Sequence, residues 1–170
     1  RSLQNFTPEE LNALGDESAM HRKKMSAHAV TRDGIIPAIK AGAASVEHGF
    51  GIDDECIRLM VEKGIYWCPT IYVNVWVAEG RAAAGSPINK VFSEVLPATF
   101  NKAVKASVKI AFGTDAGGFD WTENEAKEFS FMVKWVMTPL QAIKAATTVA
   151  ADLLDMKGKI GEIAPGAFAD

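Results

Sequence analysis

Short apolar runs alternate with helical patterns along this chain, and that order restricts the fold more than any other feature of the sequence. Met25–Ala29, Ala44–His48, Ile65–Cys68 and Val108–Phe112 read as strands. Helical spacing follows from Asp33 to Ala41, from about Asp53 to Lys63, and from about Asn89 to Ala106, where Pro97 predicts a bend. Strands alternating with helices imply a parallel sheet with helical crossovers. Two architectures satisfy the order: an open doubly wound sheet, or part of a (β/α)8 barrel. No G-x-G-x-x-G or Walker-type loop follows the first strand, which weakens the nucleotide-binding version. The predicted fold is therefore α/β, about four βα units plus an extra C-terminal helix. On the barrel alternative four units would be half of one, since a whole barrel needs about 250 residues and the chain has 170.

Helix ends are marked in the residues themselves. Thr7-Pro8-Glu9-Glu10 carries an N-cap, a first-turn proline and a capping-box glutamate. Thr122 with Glu125, and Thr138-Pro139 with Gln141, predict two more capped helices late in the chain. Gly42 and Gly64 read as terminators, and the basic run His21-Arg22-Lys23-Lys24 as a solvated helix end. The stretch from Ile71 to Ser107 is less regular, broken by Gly80, Gly85 and Pro87. Gly158 to Asp170, with Gly161, Pro165 and Gly166, predicts a turn into new β-structure.

Composition narrows the partners. Lys and Arg number 18 against 21 Asp and Glu, a net charge of −3, so no basic surplus exists to bind a phosphate backbone and nucleic acid is not expected. Lys, Glu or Gly interrupts every apolar stretch before a membrane-spanning length of about 18–20 residues, and Arg1–Phe6 lacks the apolar core of a secretory signal. The compartment stays open, with a cytoplasmic one as the default. Cys56 and Cys68 read as reduced, packed thiols. Trp67, Trp76, Trp121 and Trp135 read as packing residues, as does the Met132–Met137 region.

Three strands end, or nearly end, in a residue that binds metal or moves protons: His28, His48 and Asp115. In a parallel βα sheet all strand C-termini face one side, so residues distant in sequence gather there. Two imidazoles and a carboxylate suit a zinc-type site. Each also has a plainer reading, the histidines as hydrogen-bonded packing residues and Asp115 as a turn residue before Ala116-Gly117-Gly118. Glu47 is expected on the face opposite His48, in a packing or ion-pair role.

A series of motifs then carries a resemblance. Ser26-Ala27-His28-Ala29, Ser45-Val46-Glu47-His48-Gly49, Pro69-Thr70, Gly113-Thr114-Asp115-Ala116-Gly117, Met137-Thr138-Pro139-Leu140-Gln141-Ala142-Ile143, Ala145-Ala146-Thr147, and Gly161-Glu162-Ile163-Ala164-Pro165-Gly166 with Ala169-Asp170 occur in a fixed order. The ordered set resembles the C-terminal half of the amidohydrolase superfamily, in the branch of imidazolonepropionase-like and prolidase-like (Xaa-Pro dipeptidase) enzymes. The resemblance implies a (β/α)8 barrel over residues 1–157, with 158–170 beginning a small β-sandwich domain. It also implies one or two divalent metals, usually zinc, with His28, His48 and Asp115 as ligands and Asp115 as general base. Thr70, Tyr72, Gly117 and Gly118 would line the substrate pocket. The substrate class would be a small amide, a dipeptide or an N-acyl amino acid.

The sequence departs from that family in what it lacks. The three histidines are His21, His28 and His48, so no His-x-His pair is present, and the bridging lysine of the fourth strand has no counterpart. Val30 stands where relatives often carry a polar residue toward substrate. The expectation is a fragment whose missing ligands lie in a longer protein, inactive by itself. A half-barrel without catalysis that pairs with itself or with an N-terminal half is the alternative, because open sheet edges and an apolar face favour association. A ring-amide hydrolase or deaminase of the same superfamily is a third reading.

Overall fold

Thr7 starts the first helix as its sequence predicts. In the computed structural model, which describes residues 4–169, the Thr7 hydroxyl accepts from the Glu10 amide at 3.2 Å and the Glu10 carboxylate accepts from the Thr7 amide at 2.8 Å. Helix α1 then runs Pro8–Met20. The remaining order is β1 (Met25–Thr31), α2 (Arg32–Lys40), β2 (Ala43–Gly51), α3 (Asp54–Lys63), β3 (Tyr66–Cys68), α4 (Ile71–Ala83), α5 (Ile88–Lys105), β4 (Lys109–Ile110), α6 (Lys127–Trp135), α7 (Pro139–Ala146) and α8 (Thr148–Leu153). Asp170, the last residue of the final motif, lies outside the described residues.

The four strands form one sheet in the order β1-β2-β3-β4, and every pair is parallel. This order decides between the two architectures. A doubly wound sheet reverses its strand order at a switch point, whereas a barrel adds each strand beside the last. Right-handed crossovers in sequential order place the connecting helices on one face. There Val46, Trp67, Ile35, Ile39, Met60, Ile71, Leu96 and Phe100 are fully buried. The other face is more polar: Ser26 and Ser45 both donate to Glu47 Oε1, at 2.7 and 2.6 Å.

Several boundaries differ from expectation. Strand β2 continues through Gly49-Phe50-Gly51, read from the sequence as a loop, because Thr31 still pairs with Gly51. Strand β4 is only two residues long. Its pairing ends after the Ala111 amide donates to the Trp67 carbonyl at 2.9 Å, and the Phe112 amide turns instead to the Ala145 carbonyl of α7 at 3.1 Å. Two helices, not one, fill the stretch after β3, and three rather than two follow β4. Gly80 lies inside α4 on a side where nothing approaches within 4 Å, so it costs helix propensity without ending the helix. Buried Asn74 and Asn89 lock α4 to α5 through a 2.8 Å bond from Asn89 Nδ2 to Asn74 Oδ1. Helix α5 runs through Pro97.

The Thr138–Gln141 capping box forms, but the Thr122–Glu125 box does not. Thr122 bonds back to Asp120, its amide and hydroxyl both donating to Oδ1 at 2.9 and 2.8 Å, which closes a local turn. Helix α6 therefore starts only at Lys127. The basic run after α1 is also more than a solvated end. Lys24 Nζ donates to the carbonyls of Asp152 and Leu153 at 2.8 Å each and pairs with Asp155 at 2.7 Å, closing the C-terminus of α8. Cys56 and Cys68 are free and buried, as expected, and burial pushes the Cys56 thiol up to about 12. Trp67 is core, while Trp121 is 75% exposed and so is not the packing residue its type suggests.

Cys68 also explains the glycine that follows β4. A Cβ on Gly113 would sit 2.3 Å from Cys68 Sγ, well inside contact distance. Gly113→Ala is expected to lower stability by about 1–3 kcal/mol through overpacking. Urea unfolding measures this, and adding Cys68→Ala should recover part of the loss; no recovery would place the strain elsewhere.

Candidate active site

Parallel pairing sets His28 of β1 opposite Glu47 of β2, and Ala29 opposite His48. Simple strand alternation would then send the His48 ring away from Glu47. The structure departs from that expectation because His48 has φ 71, outside the β region. Its ring instead meets His28, with centroids 4.3 Å apart at 66°. His28 shares a face with Ser26, which bonds Glu47, so Glu47 and His48 reach the same side of the sheet. The structural role expected of Glu47 takes the form of hydrogen bonds to Ser26 and Ser45.

His48 is buried, and its surroundings define its chemistry. Its Nδ1 lies 2.8 Å from Thr70 Oγ1, and its carbonyl accepts from Trp67 Nε1 at 2.8 Å. That indole leaves no room beside the strand end: a Cβ on Gly49, whose φ is +57, would stand 2.7 Å from Nε1. Burial, then the neighbouring His28, lowers the His48 pKa below the usual histidine range, while Asp115 and Glu47 pull it back up. Neutral imidazole is the form that offers a lone pair to a metal.

Six non-glycine residues among those described have positive φ, and three of them are His48 (71°), Thr70 (43°) and Asp115 (55°). Thr70 and Asp115 follow the C-terminal ends of β3 and β4, whereas His48, expected at a strand end, lies inside β2 because that strand continues to Gly51. Left-handed backbone costs roughly 1–3 kcal/mol per residue and gathers where a site over-determines it. Asp115 is exposed, and its charge acts on both His48 and Cys68. Two imidazoles and a carboxylate on one rim are the donor types that suit a zinc-like cation. Among the described residues, however, no three His, Cys, Asp or Glu side chains stand close enough together to hold one.

The four residues expected to line a substrate pocket have different surroundings. Thr70 is buried against His48. Tyr72 is buried too; its ring meets Phe119 edge-on, its hydroxyl donates to Glu123 at 2.7 Å, and Lys127 Nζ donates to that hydroxyl at 3.0 Å. Gly117 and Gly118 are exposed in the turn after Asp115, closed by a 2.9 Å bond from the Gly118 amide to the Asp115 carbonyl. A Cβ on Gly118 would stand 2.6 Å from Val73 and 3.2 Å from Asp115 Oδ2, so this position keeps the carboxylate and α4 in close approach.

The sequence pattern of the Amidohydrolase family matches residues 1–170. The chain belongs to the amidohydrolase family. It is similar to the ochratoxinase of Aspergillus niger, with 38% identity over 150 residues, which cover 85% of this chain and 31% of that protein. Among solved structures it resembles a Xaa-Pro dipeptidase with methionine bound in its active site, at 38% identity and a TM-score of 0.89, covering 99% of this chain and 43% of that one. It also resembles a prolidase complexed with N-methylphosphonate-L-proline, at 29% identity and a TM-score of 0.84, over 97% of this chain and 41% of that one. The chain thus spans about a third of the curated relative it matches and about two fifths of these solved structures. The fold agrees with these amidohydrolase barrels, of which the four parallel strands form part.

One residue of this amidohydrolase rim escapes sequence reading. Glu128, on α6, is fully buried and accepts the amides of Ile71 at 2.8 Å and Tyr72 at 2.7 Å, the first two of α4. No local signal announces a cap supplied from 57 residues away. Burial pushes its carboxyl up to about 7, against the pull of both amides. Unfolded, the group loses its proton near 4.5, so between that pH and about 7 the folded state holds more protons and stability falls as pH rises. Thermal unfolding across pH 4.5–7 is expected to show this slope, and Glu128→Gln to remove it; an unchanged slope in the variant would assign the dependence to other groups.

Proposed function

We propose that this chain is the C-terminal part of a metal-dependent hydrolase that cleaves an amide C–N bond, in the class of dipeptides and N-acyl amino acids. The observation that carries the reading is the meeting of the His28 and His48 rings, centroids 4.3 Å apart on the adjacent strands β1 and β2, within reach of the Asp115 charge. His28, His48 and Asp115 do not form a complete site among the described residues; they would hold the divalent cation, one or two per protein and zinc by preference, only together with ligands from an N-terminal half. Such a cation supplies a Lewis acid for the carbonyl and ionises water near neutral pH. With such a cation bound, Asp115 would serve as the general base that accepts a proton from water and returns it to the departing amine. Thr70, Tyr72, Gly117 and Gly118 would line the substrate pocket, with Gly118 at the one of these positions where a Cβ would crowd the Asp115 carboxylate. The substrate class follows the likeness to a Xaa-Pro dipeptidase and to ochratoxinase.

The same reading gives the β1 edge a partner. Strand β1 ends the described sheet, beside a cleft of about 680 Å³ lined by Phe6, Leu11, Leu14, His28, Val30 and Pro37. An N-terminal half, covalent or separate, would add its last strand there and bring the remaining ligands to the rim. Residues 158–170 would lead into a small β-sandwich domain. Among the described residues no helix is long and apolar enough to cross a membrane.

In the full protein, His48→Ala is expected to cut zinc content and to reduce hydrolysis of Xaa-Pro dipeptides and N-acyl amino acids by orders of magnitude. Unchanged metal and turnover in a folded variant would overturn the site. The 170-residue chain alone is expected to show no amide hydrolysis; zinc-dependent turnover by it alone would refute the need for a second half.

A further inference from the structure

A threonine just ahead of a helix ordinarily turns its hydroxyl onto the amides of the first turn. Thr70 precedes the 13-residue helix α4 and makes no such bond. Its place is taken from a distance, because Glu128 Oε1 accepts the Ile71 amide and Oε2 the Tyr72 amide. Relieved of capping, Thr70 takes φ 43 and ψ 51 and sets its hydroxyl 2.8 Å from His48 Nδ1. Glu128 does not touch His48. It is nevertheless fully buried, an expensive location for a carboxyl whose only task is to cap a helix that carries its own threonine.

We propose that Glu128 is a positioning residue for His48: by holding the first amides of α4 it frees the Thr70 hydroxyl to fix the orientation and tautomer of the His48 ring. The proposal rests on the reading of His48 as a metal ligand only for its consequence, not for its geometry. For Nε2 to offer a lone pair, Nδ1 must carry the proton and donate it to Thr70 Oγ1. Without Glu128, the open amides of α4 draw the hydroxyl back to the helix, and the ring loses the partner that selects one tautomer.

The test reads the imidazole itself. In the metal-free full protein labelled with 15N-histidine, with the His48 signals identified by their loss in His48→Ala, the ring is expected to show a single tautomer protonated at Nδ1. Thr70→Val should abolish that pattern and Thr70→Ser should keep it. Glu128→Gln, which offers one acceptor where two amides need one each, should move the His48 signals as Thr70→Val does. Both should weaken zinc binding, measured against a competing chelator, by about 10–100-fold. A folded Glu128→Gln protein with unaltered His48 signals and unaltered zinc affinity would overturn the proposal and leave Glu128 a cap alone. If that variant does not fold, Glu128→Asp, still a carboxylate but one methylene short, is read by the same signals and judged by the same outcomes. If His48→Ala leaves zinc content intact while Glu128→Gln still shifts the His48 tautomer, the metal reading fails and the positioning role stands.

Discussion

Parallel pairing of β1 on β2 is the constraint from which the rest of the molecule follows. It fixes His28 opposite Glu47, carries the pairing on to Thr31 and Gly51, and points both strands toward the same rim. A parallel pair needs a helical crossover, so α2 must lie over the two strands, and Ile35 and Ile39 accordingly sit fully buried between helix and sheet. Each later strand repeats the step in the same direction. The outcome is a sheet whose four strands all run toward the same side.

The two sides of that sheet are held by different physics. Beneath the helices, burial of Trp67, Phe100, Leu96 and Met60 supplies non-directional cohesion. On the polar side, Ser26, Ser45 and Glu47 form a small hydrogen-bonded cluster in which the carboxylate oxygen receives two hydroxyls. Direction matters there, since a buried polar atom without a partner costs more than its bond returns. Among the described residues no buried side-chain nitrogen or oxygen lacks one. The α4–α5 pair follows the same logic, with Asn74, Asn89, Ser93 and Arg81 satisfying one another.

Much of the fold was legible in the sequence because its signals are local. Thr7 with Glu10, Thr138 with Gln141, and Gly64 after α3 act within one turn of chain, and all operate as the residues predict. What the sequence hid depends on contacts across space. Thr122 had the spacing of a cap, yet Asp120 two residues before it competes for the same groups. Helix α4 looked irregular because Gly80 lies inside it, and the cap of its first turn comes from α6 rather than from its own Thr70. For the rim the contrast is similar. His28, His48 and Asp115 were readable as chemistry-bearing residues, but the two histidines lie inside β1 and β2 rather than at their ends, and the contact between their rings depends on a left-handed backbone at His48 that alternation cannot foresee.

That left-handed backbone carries a cost for anyone seeking a sturdier molecule. At positions 48, 70 and 115 the chain holds side chains in a conformation that glycine or asparagine adopts with less strain. A laboratory selection for heat resistance alone would therefore enrich replacements at these three places. It would harvest its gains by stripping the rim of an imidazole, a hydroxyl and a carboxylate, so that thermal hardiness and surviving chemistry would drift apart first at this end of the sheet.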